Sequence, residues 1–433
     1  MDELTITPPP VVSETISPSI IKVIGVGGGG GNAVNHMYRQ GITDVTFVIC
    51  NTDIQDLAKS PIPYKIQLGP QLTSGLGAGA DPETGRMAAE ESIESIKKML
   101  GDNTKMVFIT AGMGGGTGTG ASPIIARTAH EMKILTIAIV TIPFKFEGAP
   151  KIRAALEGVR TLNKYVDAIL VINNEKLLKL YPNMKLSEAF RYADDVLSNA
   201  AKSIAEIITI TGHINLDFAD VKRILENGQV AVMNTGASEG ELRIEKAIHN
   251  ALYSPLLDND ISSSKKILLN FYCSESDENQ ISIEEVEQIN KFMEQMSENI
   301  DVVWGITYDN SLEKAVKVTL IATGFDISAI PGMKDLIAKT PELPIVEPPQ
   351  PQQPIVSQAE NQAASNVIAE EPPKKNTDAI IEEIYGGKKT EPEQTTQTND
   401  DDIPSVNIED LLKELNNEEK LSYIENIPAW KRR

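Results

Sequence analysis

Apolar residues arrive along this chain in short runs whose spacing is of two kinds. Residues 20–24 have the composition of a strand, residues 25–32 are glycine-rich, and residues 33–39 carry apolar side chains at helical spacing. Strand, glycine turn and helix are expected in that order. Strand-like runs at 45–50, 106–110, 135–141 and 168–172 alternate with helical stretches, which predicts a parallel sheet covered on both faces. The longest helical pattern spans 187–210, where Ala189, Ala193, Val196, Leu197, Ala200, Ile204, Ile207 and Ile208 fall on related faces. Ser187 is placed to cap its start and Gly212 to stop it. After a loop and another helix, strands are expected at 266–273, 302–308 and 315–323 around a helix at 283–297. These read as a separate, smaller α+β domain.

The ends have a different character. Residues 1–19 carry prolines and little period, and are expected to form a flexible arm. From about residue 340 to 402 the chain is rich in Pro, Gln, Glu, Asn and Thr. So little apolar surface cannot offset the ~1–2 kcal/mol per residue of backbone ordering, and a disordered linker is expected over 331–420. Apolar residues return at 408–415 and 424–430, followed by Lys431, Arg432 and Arg433. Residues 421–433 are therefore a candidate docking peptide on a tether, and the ordered domains are expected at 20–211 and 212–330.

Composition narrows the function. With 61 acidic against 40 basic residues the formal charge is -21, which argues against broad electrostatic binding to nucleic acid or anionic membrane. A polyphosphate bound by such a chain must be held by local backbone N–H donors and a cation such as Mg²⁺. No apolar run approaches the roughly 20 residues of a membrane span, and the N-terminus lacks the basic and apolar regions of a signal peptide. A cytoplasmic protein without direct membrane insertion is expected. Cys50 and Cys273 sit in apolar, strand-like runs and are expected to be reduced core thiols.

The chemistry concentrates in glycine. Gly25, Gly27 and Gly30 satisfy G-x-G-x-x-G between a strand and a helix, which by itself fits a nicotinamide-dependent oxidoreductase with Asp53 as ribose-binding acid. A second run, GMGGGTGTG at 112–120, again stands between a strand and a helical stretch, 123–131. Two such turns bring two sets of amides and two helix N-termini to one sheet edge, more than a single pyrophosphate needs. Thr117 and Thr119 add hydroxyls. Neither run carries the lysine of a P-loop, so that class is disfavoured and charge neutralisation falls to dipoles and a metal. The turn at 75–81 (GLGAGAD) is either a cover for the terminal phosphate or an ordinary loop.

Three groups of polar residues complete the candidates. Glu147 and Asp194 are carboxylates able to accept from the N1 and N2 edge of guanine, which adenine does not offer. Asp195, adjacent to Asp194, is expected to be merely solvated. Asn215, Asp217 and Asp220 fall in GHINLDFADVKRIL. They either cap a helix and favour its dipole or orient a water or cation for phosphate hydrolysis, and the two roles are compatible.

Together, GVGGGGGNAV at 25–34, NTD at 51–53, AGMGGGTGTG at 111–120, FKFEG at 144–148 and NLDFAD at 215–220 resemble the FtsZ family, bacterial tubulin homologues of cell division, over about 20–325. The resemblance implies an α/β fold: a tubulin/FtsZ-like Rossmann-type GTPase domain joined by a long central helix to a smaller α+β domain, with a disordered tail. It implies binding of GTP and GDP, with Mg²⁺, by Gly28, Gly29, Gly30, Gly31 and Asn32, by Gly79, by Gly115, Gly116, Thr117 and Gly118, and by Glu147 and Asp194. It implies that Asn215, Asp217 and Asp220 act in the nucleotide site of the next subunit, so that hydrolysis requires a head-to-tail homopolymer forming a ring at midcell.

The chain departs from the family at two places in the site. Lys151 stands near the usual arginine, with Arg153 beyond, and keeps a charge without a bidentate fork. Asn173, Asn174, Glu175 replaces a proline-containing segment and leaves Asn174 as the sugar contact. The terminal NIPAWKRR is similar to the family's tail peptide, and implies docking of membrane-tether and division-regulating proteins through Ile427, Pro428, Trp430 and Arg432. A scaffold that binds nucleotide without turnover remains the third reading.

Overall fold

The structure, a computed structural model, describes residues 19–180, 185–210, 212–252, 261–276, 278–294, 296 and 300–339. The chain alternates β1 (Ile21–Val26), α1 (Gly27–Arg39), β2 (Thr46–Asn51), α2 (Ile54–Lys59), β3 (Tyr64–Gln67), α3 (Pro70–Thr73), α4 (Pro82–Glu91), α5 (Ile93–Leu100), β4 (Met106–Gly112), α6 (Gly116–Glu131), β5 (Leu135–Ile142), α7 (Ala149–Leu162), β6 (Ala168–Asn173) and α8 (Asn174–Leu180). The long helix α9 (Leu186–Thr209) then leads to β7 (Gly212–Ile214), α10 (Phe218–Leu225), β8 (Gln229–Ser238), α11 (Arg243–Leu252), β9 (Lys266–Cys273), α12 (Ile283–Glu294), β10 (Asp301–Tyr308), β11 (Val316–Phe325) and α13 (Met333–Lys339).

The strands join in the order β3-β2-β1-β4-β5-β6-β8-β11-β9-β10-β7. From β3 to β6 every pairing is parallel, as the alternating pattern predicts; β11 is antiparallel to both β8 and β9. Successive side chains of a strand take opposite faces, and the core divides accordingly. Ile24, Val26, Val107, Ile109, Ala138 and Val140 face one cluster with residues of α4 to α7, while Ile21, Val23, Met106, Phe108, Ile137 and Ile139 face a second with α1, α9 and α10. Cys50 and Cys273 are buried free thiols, and burial pushes Cys50 up to about 12.

Five expectations need correction. Helix α1 begins at Gly27, not near 33, and α6 at Gly116, not near 123. Low helix propensity of glycine argued for loops, but close packing overrides it: a Cβ at Gly30 would stand 2.2 Å from Thr110 O, and one at Gly120 1.9 Å from Pro82 O. Helix α9 begins at Leu186, with Ser187 already inside it, and ends at Thr209. Gly212 therefore does not stop α9; it belongs to β7, where a Cβ would meet Ile306 O at 2.0 Å. Ordered chain also extends past 330, since α13 buries Met333 and Leu336. The elements β3, β7, β8 and α11 had no expectation. β8 was obscured because its apolar run breaks at Asn234, Thr235 and Gly236, the last lying beneath α11 with Ala247 O 2.1 Å from a would-be Cβ.

Candidate functional site

The C-terminal ends of the parallel strands carry the glycine turns. Helix α1 starts after Val26 and α6 after Gly115, and neither start has a side-chain cap. Elsewhere aspartates do that work: Asp53 accepts from Gln55 N and Asp56 N at the start of α2, and Asp81 from Glu83 N and Thr84 N at the start of α4. A helix start leaves its first N–H groups without intrahelical partners. Two uncapped starts on neighbouring strands β1 and β4, both opened by glycine, form a paired set of donors with the positive end of each helix dipole behind it. Asp53 is committed to its cap, which weakens its reading as a ribose-binding acid.

The glycines sort into two kinds by what a Cβ would meet. Gly30, Gly116, Gly118 and Gly120 are filled against Thr110 O, Ala78 Cβ, Gly112 O and Pro82 O, so their identity is required by packing. Gly31, Gly79 and Gly115 face open space, and Gly28 meets only Asp56 Oδ2 at 3.8 Å. A cavity of ≈ 100 Å³ lies here, bordered by Gly28, Gly31, Asn32, Asn51 and Asp56. Gly29 lies between the two kinds, 3.2 Å from Gly112 Cα. The turn at 75–81 packs beside α6, since a Cβ at Gly116 would lie 2.9 Å from Asp81 N. Its backbone is left-handed at Gly75, Gly77, Gly79 and Ala80.

Hydroxyls tie these turns together. Thr117 Oγ1 and Thr52 Oγ1 share a buried hydrogen bond of 2.7 Å, and Gly114 N donates to Thr119 Oγ1 at 2.8 Å. Thr52, unassigned in the sequence reading beyond its place in NTD, thus joins β2 to the start of α6.

A second wall comes from β5, β6 and α9. Glu147 Oε1 accepts from Phe144 N at 3.0 Å, and its Oε2 pairs with Lys151 Nζ at 3.3 Å. Asn174, at the start of α8, is buried with its side-chain oxygen unpartnered. Asp194 lies in the third turn of α9, and burial first, then the charge of Asp195, pushes its carboxyl up to about 7. Asp195 corrects the expectation of a merely solvated acid: its Oδ1 pairs with His36 Nε2 of α1 at 2.6 Å.

Sequence reasoning missed an aromatic surface here. Phe146 and Phe190 are exposed and cross edge to face at 6.3 Å, and both contact the buried Phe144. Phe190 stands one helical turn before Asp194, and an aromatic at i-4 from a candidate base-reading acid was the available signal. A separate cavity of ≈ 250 Å³ lies further along α9, bordered by Val196, Ala200, Val232 and Met233. It is mostly aliphatic and has no glycine turn.

Asn215, Asp217 and Asp220 stand beyond the other end of α9. Asp217 Oδ1 accepts from Ala219 N at 2.7 Å and Asp220 N at 3.0 Å, and Asp220 Oδ2 accepts from Asp217 N at 3.0 Å. Asn215 Oδ1 accepts from Gly212 N. The capping reading is therefore realised at α10, using one oxygen of each carboxylate. With 24 residues α9 is about 36 Å long, and Asp194 lies about 22 Å from its C-terminal end. The glycine site and the acidic loop are not brought together within one chain. Ile427, Pro428, Trp430 and Arg432 lie outside the described residues.

Paired, uncapped helix starts on a parallel sheet with a long helix beside them define a tubulin-type nucleotide-binding protein. The family model described as Tubulin/FtsZ family, GTPase domain, matches residues 20–182, and that described as FtsZ family, C-terminal domain, matches 228–326. The cell division protein FtsZ of Porphyromonas gingivalis is 52% identical over 312 residues, 72% of this chain and 68% of that one. That of Wigglesworthia glossinidia brevipalpis is 44% identical over 324 residues, 74% and 83% of the two chains. Among solved structures, an empty FtsZ dimer of M. jannaschii matches with TM-score 0.64 and 41% identity, covering 72% of this chain and 89% of that one. CetZ2 of Haloferax volcanii, solved as a GTPgS-bound protofilament, matches in fold at TM-score 0.61 and 20% identity, over 74% and 98% of the two chains. The chain belongs to the FtsZ family of cell-division GTPases, which bind GTP and GDP and self-associate into filaments. No helix among the described residues is long and apolar enough to cross a membrane.

Proposed function

We propose that this GTPase polymerises head to tail and hydrolyses GTP at a site that the next subunit completes. The observation that carries the reading is the separation along α9: donors for a polyphosphate stand near one end, and carboxylates beyond the other. A heterologous contact that joins opposite ends repeats without closing and makes a filament.

In this reading the amides of Gly28 to Asn32 and of Gly115 to Gly118 hold the phosphates, with Gly79 and its turn over the terminal one. Asp194 and Glu147 read guanine, Phe190 and Phe146 offer a stacking surface for the base, Asn174 takes the sugar, and Lys151 adds charge while holding Glu147. Asp217 and Asp220 keep one carboxylate oxygen each outside the cap, and these, with the Asn215 amide, orient the attacking water at the neighbour's γ-phosphate. No three His, Cys, Asp or Glu side chains converge among the described residues. A Mg²⁺ ion at this site would then take most ligands from phosphate oxygens and water, as that ion commonly does; it would neutralise charge developing on the phosphates.

We further divide the chain into a GTP-binding domain at 20–211 and an α+β domain that begins at 212, with ordered chain continuing past 330 through α13. The tail carries the docking peptide that recruits membrane-tether and division-regulating proteins to a cytoplasmic ring at midcell. No nucleic-acid partner is proposed.

Phosphate release per subunit, measured with GTP and Mg²⁺ across a protein concentration series alongside sedimentation, tests the shared site. The rate per subunit should rise above a threshold that coincides with pelleting. A rate independent of concentration defeats the reading, and assembly without phosphate release would favour a non-catalytic scaffold. Removing residues 421–433 should leave assembly intact and abolish binding to tether proteins.

A further inference from the structure

Helix α10 is only eight residues long, and its C-terminal carbonyls are all accounted for. A helix leaves its last four C=O groups without intrahelical partners. Lys222 O accepts from Glu226 N at 2.8 Å and Leu225 O from Gly228 N at 3.0 Å. The others are met from the sheet. Lys266 Nζ on β9 donates to Arg223 O at 2.7 Å and to Glu226 O at 3.0 Å, and the buried Thr323 hydroxyl on β11 donates to Ile224 O at 2.9 Å. The Arg223 guanidinium forks onto Asp301 of β10, Nε to Oδ2 at 2.9 Å and Nη2 to Oδ1 at 2.7 Å. Three adjacent strands thus grip one end of the helix whose other end carries Asp217 and Asp220.

The lysine charge also sits where the helix dipole is negative. At the N-terminal end of α10, among the described residues, the side-chain hydrogen bonds are those of the cap itself. A helix of this length spans about 12 Å, so a tilt of about 10° about the gripped end would move the carboxylates by about 2 Å. Displacements of about 1 Å in a reacting constellation can reduce rates by about 100-fold.

We propose that Lys266, together with the Arg223–Asp301 fork, is a positioning device for hydrolysis that sets the tilt of α10 and so places Asp217 and Asp220 against the neighbouring subunit's nucleotide. The proposal rests on the shared-site reading above. Lys266 and Asp301 lie on strands and Arg223 in the last turn of α10, all outside the glycine turns and the acidic loop, so the proposal assigns a catalytic consequence to side chains that belong to neither group.

The test compares Lys266→Met, which keeps the aliphatic stem, with the parent chain at saturating GTP. Phosphate release per polymerised subunit should fall about five- to ten-fold, while KM for GTP and the assembly threshold stay within about two-fold. Lys266→Arg should restore at least about half of the rate. If Lys266→Met does not fold, Asp301→Asn, which leaves the carbonyl contacts in place, should lower the rate about two- to three-fold. Parent-like turnover in the folded variants, or parallel loss of GTP binding and turnover, overturns the proposal. Asp217→Ala run alongside separates the two claims: if it hydrolyses at the parent rate, the shared site falls and the clamp with it. If Asp217→Ala is inactive while Lys266→Met is parent-like, the clamp alone falls.

Discussion

The helix starts at the two ends of the molecule are built in opposite ways. Helices α1 and α6 open on glycine, carry no acidic residue in their first turn and have no side-chain cap, so their first amides remain available to an anion. Helix α10 opens on Asp217, has Asp220 in its first turn, and closes its amides with its own carboxylates. One end offers donors without charge, and the other negative charge with its local donors already satisfied. With an overall charge of -21 a general positive field is not available to gather a triphosphate, and the uncapped amides at the glycine end offer local donors in its place.

The comparison breaks most severely at a glycine that packs. Gly120→Val should lose more than about 3 kcal/mol of stability or fail to fold, because its Cβ would overlap Pro82 O. Gly31→Ala is the contrast. Its Cβ enters open space inside a helix, so the melting curve should show a gain of about 0.5–1 kcal/mol, while GTP affinity measured by titration falls. Equal stability effects at the two positions would remove the distinction between packing and binding glycines.

At the acidic end, Asp217→Ala should lower polymer-stimulated phosphate release by about 100-fold or more while GTP affinity changes little. Loss of the cap also predicts a drop of about 1 kcal/mol in unfolding free energy. A variant with that stability loss but normal turnover would reduce Asp217 to its capping role.

Asp194 gives a pH signature. Its folded-state value, near 7, lies above that of the unfolded chain, so the stability it contributes is fully present below about pH 4 and lost as pH rises towards 7. Nucleotide-free Asp194→Asn should therefore melt higher than the parent at pH 8, with the gap closing as pH falls. If the ionised carboxylate accepts from guanine, GTP affinity of the parent should weaken below about pH 7 and that dependence should vanish in Asp194→Asn. A pH-independent affinity in the parent would separate Asp194 from base recognition.

The smallest effect belongs to the half-buried His36–Asp195 pair between α1 and α9. His36→Ala should shift stability by less than about 1 kcal/mol, checked by denaturant titration.

Much of the parallel half was legible because a strand buried on both faces must be almost wholly apolar, and Met106 to Ala111 leave little choice. The acidic loop was legible as a cap for an equally local reason, since an aspartate three residues before another closes a helix start. The glycine runs were legible as a candidate site between strand and helix, but not as the first turns of α1 and α6. Propensity is local, whereas the space that lets Gly30 and Gly120 lie in helices is made by Thr110 and by α4, residues distant along the chain. Thr52 was missed because nothing in its immediate sequence says what it faces; the i-4 spacing of Phe190 from Asp194 was legible, but its meeting with Phe144 and Phe146 from a distant turn was not.

The sequence by itself determined the alternation of elements, the glycine turns with no lysine to help them, and a helix long enough to keep two clusters of polar residues apart. Those features follow from composition and spacing along a single chain. Only the tertiary structure decided which glycines pack and which stay open, that Asp195 has a histidine partner, and that Lys266 and Asp301 grip the far end of α10. Each of these depends on backbones and side chains remote in sequence meeting within a few ångströms, and a linear pattern does not encode such distances.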